Sequence, residues 1–195
     1  MQTQLKQRYF TPEEYLLLEE NAEYKSEYRN GEIIAMTGGT TNHNEIASNL
    51  CAHLKFGLRG KNYRVFISDV RLWIERPNMY TYPDVMVIEG EPIYQGSAKT
   101  VVTNPSLIVE VLSKSTRNYD RTDKFDYYCC IPQFKEYILI DQYKYSVKQF
   151  AKNSDNKWVL TDYKGEEAVL NLESVDFEIS LKDIYERVNF ETNEQ

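Results

Sequence analysis

Residues 107–112, Leu-Ile-Val-Glu-Val-Leu, constrain the fold more than any other part of the sequence. Every residue of this segment except Glu110 is apolar, so the strand that it predicts has no face suited to water. Strands of this kind lie in sheets that are covered on both faces. Residues 83–88 and 136–140 have the same character. We therefore expect a buried central sheet with helices packed on both sides.

Cap, turn and periodicity signals predict the remaining elements. Thr11 and Glu14 form a capping-box pattern at the start of a helix that continues to residue 20. Asn30-Gly31 predicts a tight turn between strands at residues 24–29 and 32–36. Apolar residues every fourth position predict a helix that begins at Asn42 and ends by Gly60. Further strands are predicted at residues 64–67, 70–75, 145–150 and 157–162, and further helices at 118–130 and about 181–188.

Hairpins combined with helical crossovers predict an α/β (α+β) fold, a mixed sheet flanked by helices in a single domain over residues 1–195. The polar residues 189–195 are expected to be a frayed tail. No apolar run approaches the roughly 20 residues that span a membrane, and no signal peptide is visible. The three cysteines, Cys51, Cys129 and Cys130, have no metal-finger spacing, and the last two are expected to be small core residues. These features favour a cytoplasmic protein with reduced thiols.

Two acids stand at positions where a folded protein tolerates a carboxylate only with a partner. Glu110 lies inside its apolar strand, and Asp84 follows Pro83 at the start of another. Burying an ionised carboxylate costs several kcal/mol unless it is paired or bound to a metal. Taken singly, Asp84 is more often a turn residue and Glu110 a core ion-pair partner. Together on neighbouring strands they predict a site for a divalent cation, Mg²⁺ or Mn²⁺, of the kind that supports phosphodiester hydrolysis.

Basic residues follow the second acid. Asp120, Lys124 and Tyr128 are spaced four apart and share one face of the predicted helix. If that face looks toward the Glu110 strand, the Lys124 ammonium reaches the acid pair. The alternative is an exposed salt bridge between Asp120 and Lys124, worth a few tenths of a kcal/mol. Three further residues are suited to contacting a phosphate backbone: Lys114, Arg117 and Arg121.

The order Pro83-Asp84 … Glu110, with an apolar strand around each acid, resembles the PD-(D/E)XK nuclease superfamily. A longer pattern resembles the Uma family of restriction-endonuclease-like proteins over residues 10–185: Glu27, Asn30-Gly31-Glu32-Ile33, His43, Glu110-Val-Leu-Ser113, Thr116, Asp120, Lys124, Tyr128, Glu136-Tyr137 and Asp141. The resemblance implies a restriction-endonuclease-like core, Asp84 and Glu110 as metal ligands and Lys124 as the catalytic lysine. In that superfamily the lysine usually lies two residues after the second acid, where this chain has Leu112. The interpretation therefore requires the Lys124 amine to reach the same point in space.

Two other residues are secondary candidates. Glu27 would reach the metal or hold Lys124, or else be a cross-strand pair. His43 would bind a phosphate or orient a water, or else make a hydrogen bond at the helix start. His53, in the same predicted helix, is interpreted as structural.

These features predict a Mg²⁺- or Mn²⁺-dependent endonuclease acting on DNA, with a homodimer as a further expectation because cutting two strands favours paired sites. The net charge of −7 argues against a broad nonspecific nucleic-acid surface but leaves room for a local basic site. Two alternatives stay open. One is an inactive nuclease-fold module that binds nucleic acid or a protein, and the other is an enzyme for small phosphoesters.

Overall fold

The computed structural model describes residues 8–114 and 117–190. The helices are α1 (Pro12–Glu20), α2 (Thr41–Gly57), α3 (Arg117–Arg121), α4 (Asp123–Tyr128) and α5 (Leu181–Ile184). The strands are β1 (Ser26–Arg29), β2 (Glu32–Ala35), β3 (Tyr63–Ile67), β4 (Arg71–Ile74), β5 (Met79–Thr81), β6 (Val85–Glu89), β7 (Val101–Val102), β8 (Leu107–Leu112), β9 (Glu136–Asp141), β10 (Ser146–Lys152), β11 (Trp158–Lys164), β12 (Val169–Leu172) and β13 (Phe177–Ser180). No helix in this part of the chain is long and apolar enough to cross a membrane.

A six-stranded mixed sheet forms the centre of the molecule, in the order β11-β10-β9-β8-β6-β3. Strands β8 and β9 are parallel, whereas the other neighbours are antiparallel. All six residues of β8 and all six of β9 are buried. The mixed sheet and its doubly buried strands are therefore confirmed.

Different elements cover the two faces of this sheet. On one face Val109 packs with Leu50 of α2, as the helical periodicity predicts. On the other face Ile108 packs with Tyr128 of α4 and with Leu72 of β4. Strand β4 belongs to a second, five-stranded sheet in the order β2-β1-β5-β4-β7. The expectation of helices on both faces is thus confirmed, since α2 packs on one face and α4 on the other. The second sheet, which shares the face of α4, was not predicted, because β5 and β7 are too short to be recognised from periodicity.

The N-terminal elements match their predictions. Thr11 caps α1, and its capping box with Glu14 is complete. Strands β1 and β2 form the expected hairpin, with Asn30 at φ 46° and Gly31 at φ 99° in the turn. These positive φ angles are the reason that the turn needs an Asn-Gly pair. Strand β1 also pairs with β5, which places the hairpin in the second sheet.

Two predictions about the ends of elements are wrong. The N-cap of α2 is Thr40 rather than Asn42, because the Thr40 hydroxyl accepts the His43 N–H at 3.1 Å. Asn42 instead donates its side-chain amide to the Asn189 carbonyl at 2.6 Å. Together with the packing of Phe190 against the core, this bond holds the first two residues of the predicted frayed tail. Residues 191–195 lie outside the described part of the chain.

Three further details differ from the predictions. The helix predicted at residues 118–130 is two short helices, since the Thr122 backbone, at φ −121° and ψ −85°, leaves helical geometry. The last helix ends at Ile184, and the β12–β13 hairpin was not predicted. His53 and Cys130 are exposed, and Cys129 is only partly buried. These side chains therefore lie outside the core, although their apolar neighbours in the sequence indicated a place within it.

The core packing beneath α2 predicts a contrast between two of its residues. Leu50 is fully buried, whereas Phe56 is 81% exposed. Leu50→Ala should lower the free energy of unfolding by about 2–5 kcal/mol, because it removes buried methyl groups and leaves a cavity. Phe56→Ala should change it by less than about 0.5 kcal/mol. Urea denaturation measures both, and equal effects would contradict the assigned burial.

Candidate active site

Most of the predicted site residues line one cavity of about 450 Å³. Its wall combines the β1–β2 hairpin, the loop before α2, the ends of β6 and β8, and helices α3 and α4. Seven of the residues singled out from sequence line it: Glu27, His43, Asp84, Glu110, Lys114, Asp120 and Lys124. The structure does not bring Arg117 or Arg121 into this lining.

The two acids face each other across adjacent strands. Val85 pairs with Val109 in the antiparallel β6–β8 ladder, so Asp84 lies opposite Glu110. Asp84 Oδ2 accepts the Val111 N–H at 2.7 Å, which fixes the carboxylate against β8. Asp84 Oδ1 and Glu110 Oε2 accept no hydrogen bond from the described residues. One oxygen of each carboxylate is therefore available to a ligand in the cavity.

Lys124 reaches the acid pair from α4 despite the break in the helix. Its Nζ lies 3.0 Å from Glu110 Oε1, 3.5 Å from Glu27 Oε1 and 3.4 Å from Asp120 Oδ1, and the residue is only 6% exposed. Tyr128, one turn further along, donates its hydroxyl to Glu110 Oε1 at 2.6 Å. The structure thus selects the buried arrangement over the exposed salt bridge. Glu27 both contacts Lys124 and accepts a hydrogen bond from the Thr81 hydroxyl on the neighbouring strand β5, so the predicted contact with Lys124 and the cross-strand pair are both present.

The carboxylates in this cluster carry more negative charge than the Lys124 ammonium can balance. Burial raises the pKa of Glu110, the Lys124 ammonium opposes that shift, and the charges of Asp84 and Asp120 raise the pKa further. Burial lowers the pKa of Lys124, but Glu110, Glu27 and Asp120 outweigh it and hold that pKa well above its usual value. Lys124 therefore stays protonated. Three carboxylates contact Lys124, and Asp84 adds a fourth opposite Glu110. A proton or a divalent cation can neutralise the surplus negative charge.

His43 contacts the first acid of the pair. Its backbone N–H bonds to the Thr40 hydroxyl, while its Nε2 lies 3.2 Å from Asp84 Oδ2. Burial lowers the pKa of His43, but the hydrogen bond and charge of Asp84, followed by the charge of Asp120, raise it above the ordinary value. The hydrogen bond at the helix start and the place in the cavity are thus both present in the structure.

Sequence reasoning missed a buried glutamine that joins three elements at this cavity. Gln142 Nε2 donates to the Leu112 carbonyl at 2.8 Å, and Gln142 Oε1 accepts from the Thr40 hydroxyl at 2.5 Å. The glutamine therefore ties the ends of β8 and β9 to the start of α2. A polar residue directly after an apolar strand, as in Asp141-Gln142, is the signal that would have found it.

The predicted phosphate-contacting residues are dispersed. Lys114 is exposed and lines the cavity, with Nζ 5.9 Å from the centre of the Tyr143 ring. Arg117 forms an ion pair with Asp141 at 3.3 Å. Arg121 is exposed on α3, away from the cavity. Arg29, which sequence reasoning did not select, does line the cavity. Thr116 lies outside the described residues.

The donor set fits a hard cation. No group of three or more His, Cys, Asp or Glu side chains suited to a metal occurs within residues 8–114 and 117–190. Mg²⁺ commonly takes only one or two carboxylates and completes its shell with water and substrate phosphates. Asp84 Oδ1 and Glu110 Oε2 are two such oxygens on adjacent strands. These two carboxylates are the residues that would hold the ion.

The fold and this acid pair define the class of restriction-endonuclease-like proteins. A crystal structure of a putative nuclease belonging to DUF820 from Anabaena variabilis superposes with a TM-score of 0.73 at 21% identity, over 90% of this chain and 97% of that one. The Uma2 family, described as "Putative restriction endonuclease", matches residues 12–182. The chain belongs to this family.

Two relatives come from Synechocystis sp. and are both named as uncharacterized proteins. The protein sll1609 is 46% identical over 158 residues, which cover 81% of this chain and 89% of the relative. The protein slr1290 is 35% identical over 180 residues, which cover 92% of this chain and 93% of the relative. The match to the Uma2 family confirms the resemblance predicted from the sequence. The catalytic roles assigned to individual residues stay predictions.

The buried position of Lys124 predicts a large loss of stability when its charge is removed. Lys124→Met should lower the free energy of unfolding by about 3–5 kcal/mol in EDTA, because it leaves buried carboxylates without their cation. Lys135 is the matched control, since it pairs with Glu89 at 2.6 Å while both side chains are half exposed. Lys135→Met should cost no more than about 1 kcal/mol by the same denaturation assay. Similar small losses in both variants would contradict the buried ion-pair cluster.

Proposed function

We propose that the protein is a Mg²⁺- or Mn²⁺-dependent endonuclease that hydrolyses phosphodiester bonds in DNA. The observation that carries this proposal is the pair Asp84 and Glu110, each with one oxygen available at the same cavity, beside a buried ammonium 3.0 Å from Glu110. Two carboxylates and a lysine in one cavity are the groups that metal-assisted phosphodiester cleavage needs. Membership of the Uma2 family supports the nuclease part of the proposal.

A divalent cation held by Asp84 and Glu110 would polarise a phosphoryl oxygen and lower the pKa of a bound water. Lys124 is fixed by Glu27 and Asp120 as well as by Glu110, so its ammonium is oriented before substrate arrives. In that position it stabilises charge that develops on the phosphate or orients the attacking water. Glu27 and Asp120 act through Lys124 and are positioning residues.

Two hydrogen-bond donors hold one oxygen of the Asp84 carboxylate in place. The Val111 N–H and the His43 imidazole both contact Asp84 Oδ2, which leaves Oδ1 for the cation. His43 has a raised pKa and therefore keeps its proton to higher pH than a free imidazole, which preserves the charge-assisted contact. We assign His43 the role of holding the first metal ligand. A homodimer, as part of this proposal, would supply one such site for each DNA strand.

A second function, binding without turnover, has one observation in its favour. Leu112 occupies the position where the superfamily usually carries its lysine, and Lys124 shares its charge among three carboxylates. If Lys124 were purely structural, the fold would bind nucleic acid or a protein and not cut. Cleavage assays decide between the two functions.

Removing the first acid should strongly reduce cleavage. In a supercoiled-plasmid nicking assay with Mn²⁺ or Mg²⁺, Asp84→Ala and Asp84→Asn should reduce the rate at least about 100-fold, because each removes an anionic metal ligand. The asparagine variant keeps the shape of the side chain, which separates lost chemistry from lost packing.

Asp162→Ala is the matched control, since Asp162 is a surface carboxylate paired with Lys148 on the far strands β10 and β11. This variant should nick at the wild-type rate. If Asp84→Ala nicks the plasmid as fast as wild type, the proposed chemistry is refuted. If wild type does not nick the plasmid at all, binding without turnover is favoured.

Binding of Mn²⁺ should raise the melting temperature of wild type. At an ion concentration of about 100 times Kd, a ligand that binds only the folded state adds ~2.7 kcal/mol of stability. Glu110→Gln should lose most of that increase, whereas Asp162→Asn should retain it. Equal shifts in all three proteins would place the ion away from Asp84 and Glu110.

A further inference from the structure

Arg29 is a cavity-lining arginine whose guanidinium has no carboxylate partner among the described residues. It lies at the end of β1, half buried, and lines the cavity that contains Asp84 and Glu110. Its Nε is buried with no hydrogen-bond partner. Among the described residues, no carboxylate lies within ion-pair distance of its guanidinium. A buried donor without an acceptor costs free energy that a ligand can recover.

The other half-buried arginines have partners in the protein. Arg71 donates its Nε–H to the Tyr82 hydroxyl at 2.8 Å. Arg117 also has a buried Nε without a hydrogen-bond partner, but its charge is paired, because its Nη2 lies 3.3 Å from Asp141. Arg29 has instead a ring beneath it, because its Cζ lies 4.0 Å from the centre of the Tyr119 ring. A guanidinium stacked on an aromatic face keeps its planar N–H edge directed outward. Tyr119 itself lines the same cavity.

The charges of the residues that line the cavity indicate which kind of acceptor the Arg29 guanidinium would bind. Around the acid pair, four carboxylates outnumber the two cations that contact them, Lys124 and His43. An anionic substrate is therefore repelled unless further cations offset that field. Arg29 is a permanent cation on the cavity wall that no described carboxylate neutralises. A phosphate is the anion that matches a planar guanidinium, since two of its oxygens accept two parallel N–H bonds.

We infer that Arg29 binds a phosphate of the nucleic-acid backbone beside the bond that is cut, with Tyr119 holding the guanidinium in place. This inference rests on the proposed nuclease function and specifies how its substrate is held. Arg29 is thus a substrate-positioning residue, distinct from the metal ligands and from Lys124. Phosphate contacts of this kind fix the register of the backbone and carry no base specificity.

The test is DNA binding without turnover, measured by fluorescence anisotropy of a labelled duplex in EDTA at several salt concentrations. Each phosphate contact that is lost reduces the slope of log K against log salt by about 0.9. Arg29→Ala should therefore reduce that slope by about 0.9 and weaken affinity at least about tenfold. Arg29→Lys should keep the slope, because the charge remains, but bind less tightly than wild type.

Two controls separate contact with DNA from a structural role. Arg64→Ala removes the same charge from an exposed arginine that pairs with Glu91 outside the cavity, and should leave the slope unchanged. Lys135→Met removes a charge from a second surface ion pair, with Glu89, and should also leave the slope unchanged. Melting temperatures of all variants show whether lost binding accompanies lost folding.

The inference is wrong if Arg29→Ala matches wild type in affinity and slope, whatever its melting temperature, or if wild type does not bind DNA. It stands if Arg29→Ala loses the contact while wild type binds DNA but does not cut it. In that case only the proposed catalytic activity fails, so the two claims are tested separately.

Discussion

The ion-pair cluster around the Lys124 ammonium is the interaction on which the rest of the site depends. Its partners come from different parts of the fold: Glu27 from the five-stranded sheet, Glu110 from the central sheet, and Asp120 from α3. One buried charge therefore joins two sheets and two helices at a single point. Since a buried cation is stable only when its partners are in place, the cavity beside it has a defined shape.

A second buried carboxylate shows what is unusual about Glu110. Glu136 is fully buried on β9, and both of its oxygens accept hydrogen bonds from the chain, from the Gln149 amide, the Glu173 N–H, and the N–H and hydroxyl of Ser174. That acid is satisfied by uncharged donors and serves to join β12 to the central sheet. Glu110 leaves one oxygen available at a cavity and stands opposite a second acid. This difference separates a structural carboxylate from a candidate metal ligand.

Much of this arrangement could be predicted from particular residues. An acid inside an apolar strand, as at Glu110, has few explanations, and the spacing of Asp120, Lys124 and Tyr128 placed the amine on the correct side. The pattern did not reveal the break at Thr122, because side-chain periodicity is insensitive to one distorted peptide. The second sheet was missed because its strands are short and pair over long sequence separations.

Contacts that arise only from tertiary packing were also out of reach. Arg29 follows a buried tyrosine in a hairpin strand, and nothing in that segment shows that Tyr119 lies beneath it. Gln142 has its role because the ends of β8 and β9 lie beside the start of α2. Sequence patterns identified the residues with unusual local surroundings, and the fold determined which of them meet.

The central claim is that Asp84 and Glu110 hold one cation between them. Crystals grown with Mn²⁺ and measured at a wavelength where manganese scatters anomalously test it directly. We predict one strong anomalous peak within about 2.0–2.3 Å of an oxygen of each carboxylate, with water completing the shell. A peak that contacts neither acid, or no peak at saturating Mn²⁺ while both carboxylates stay bound to Lys124 and His43, would contradict the account.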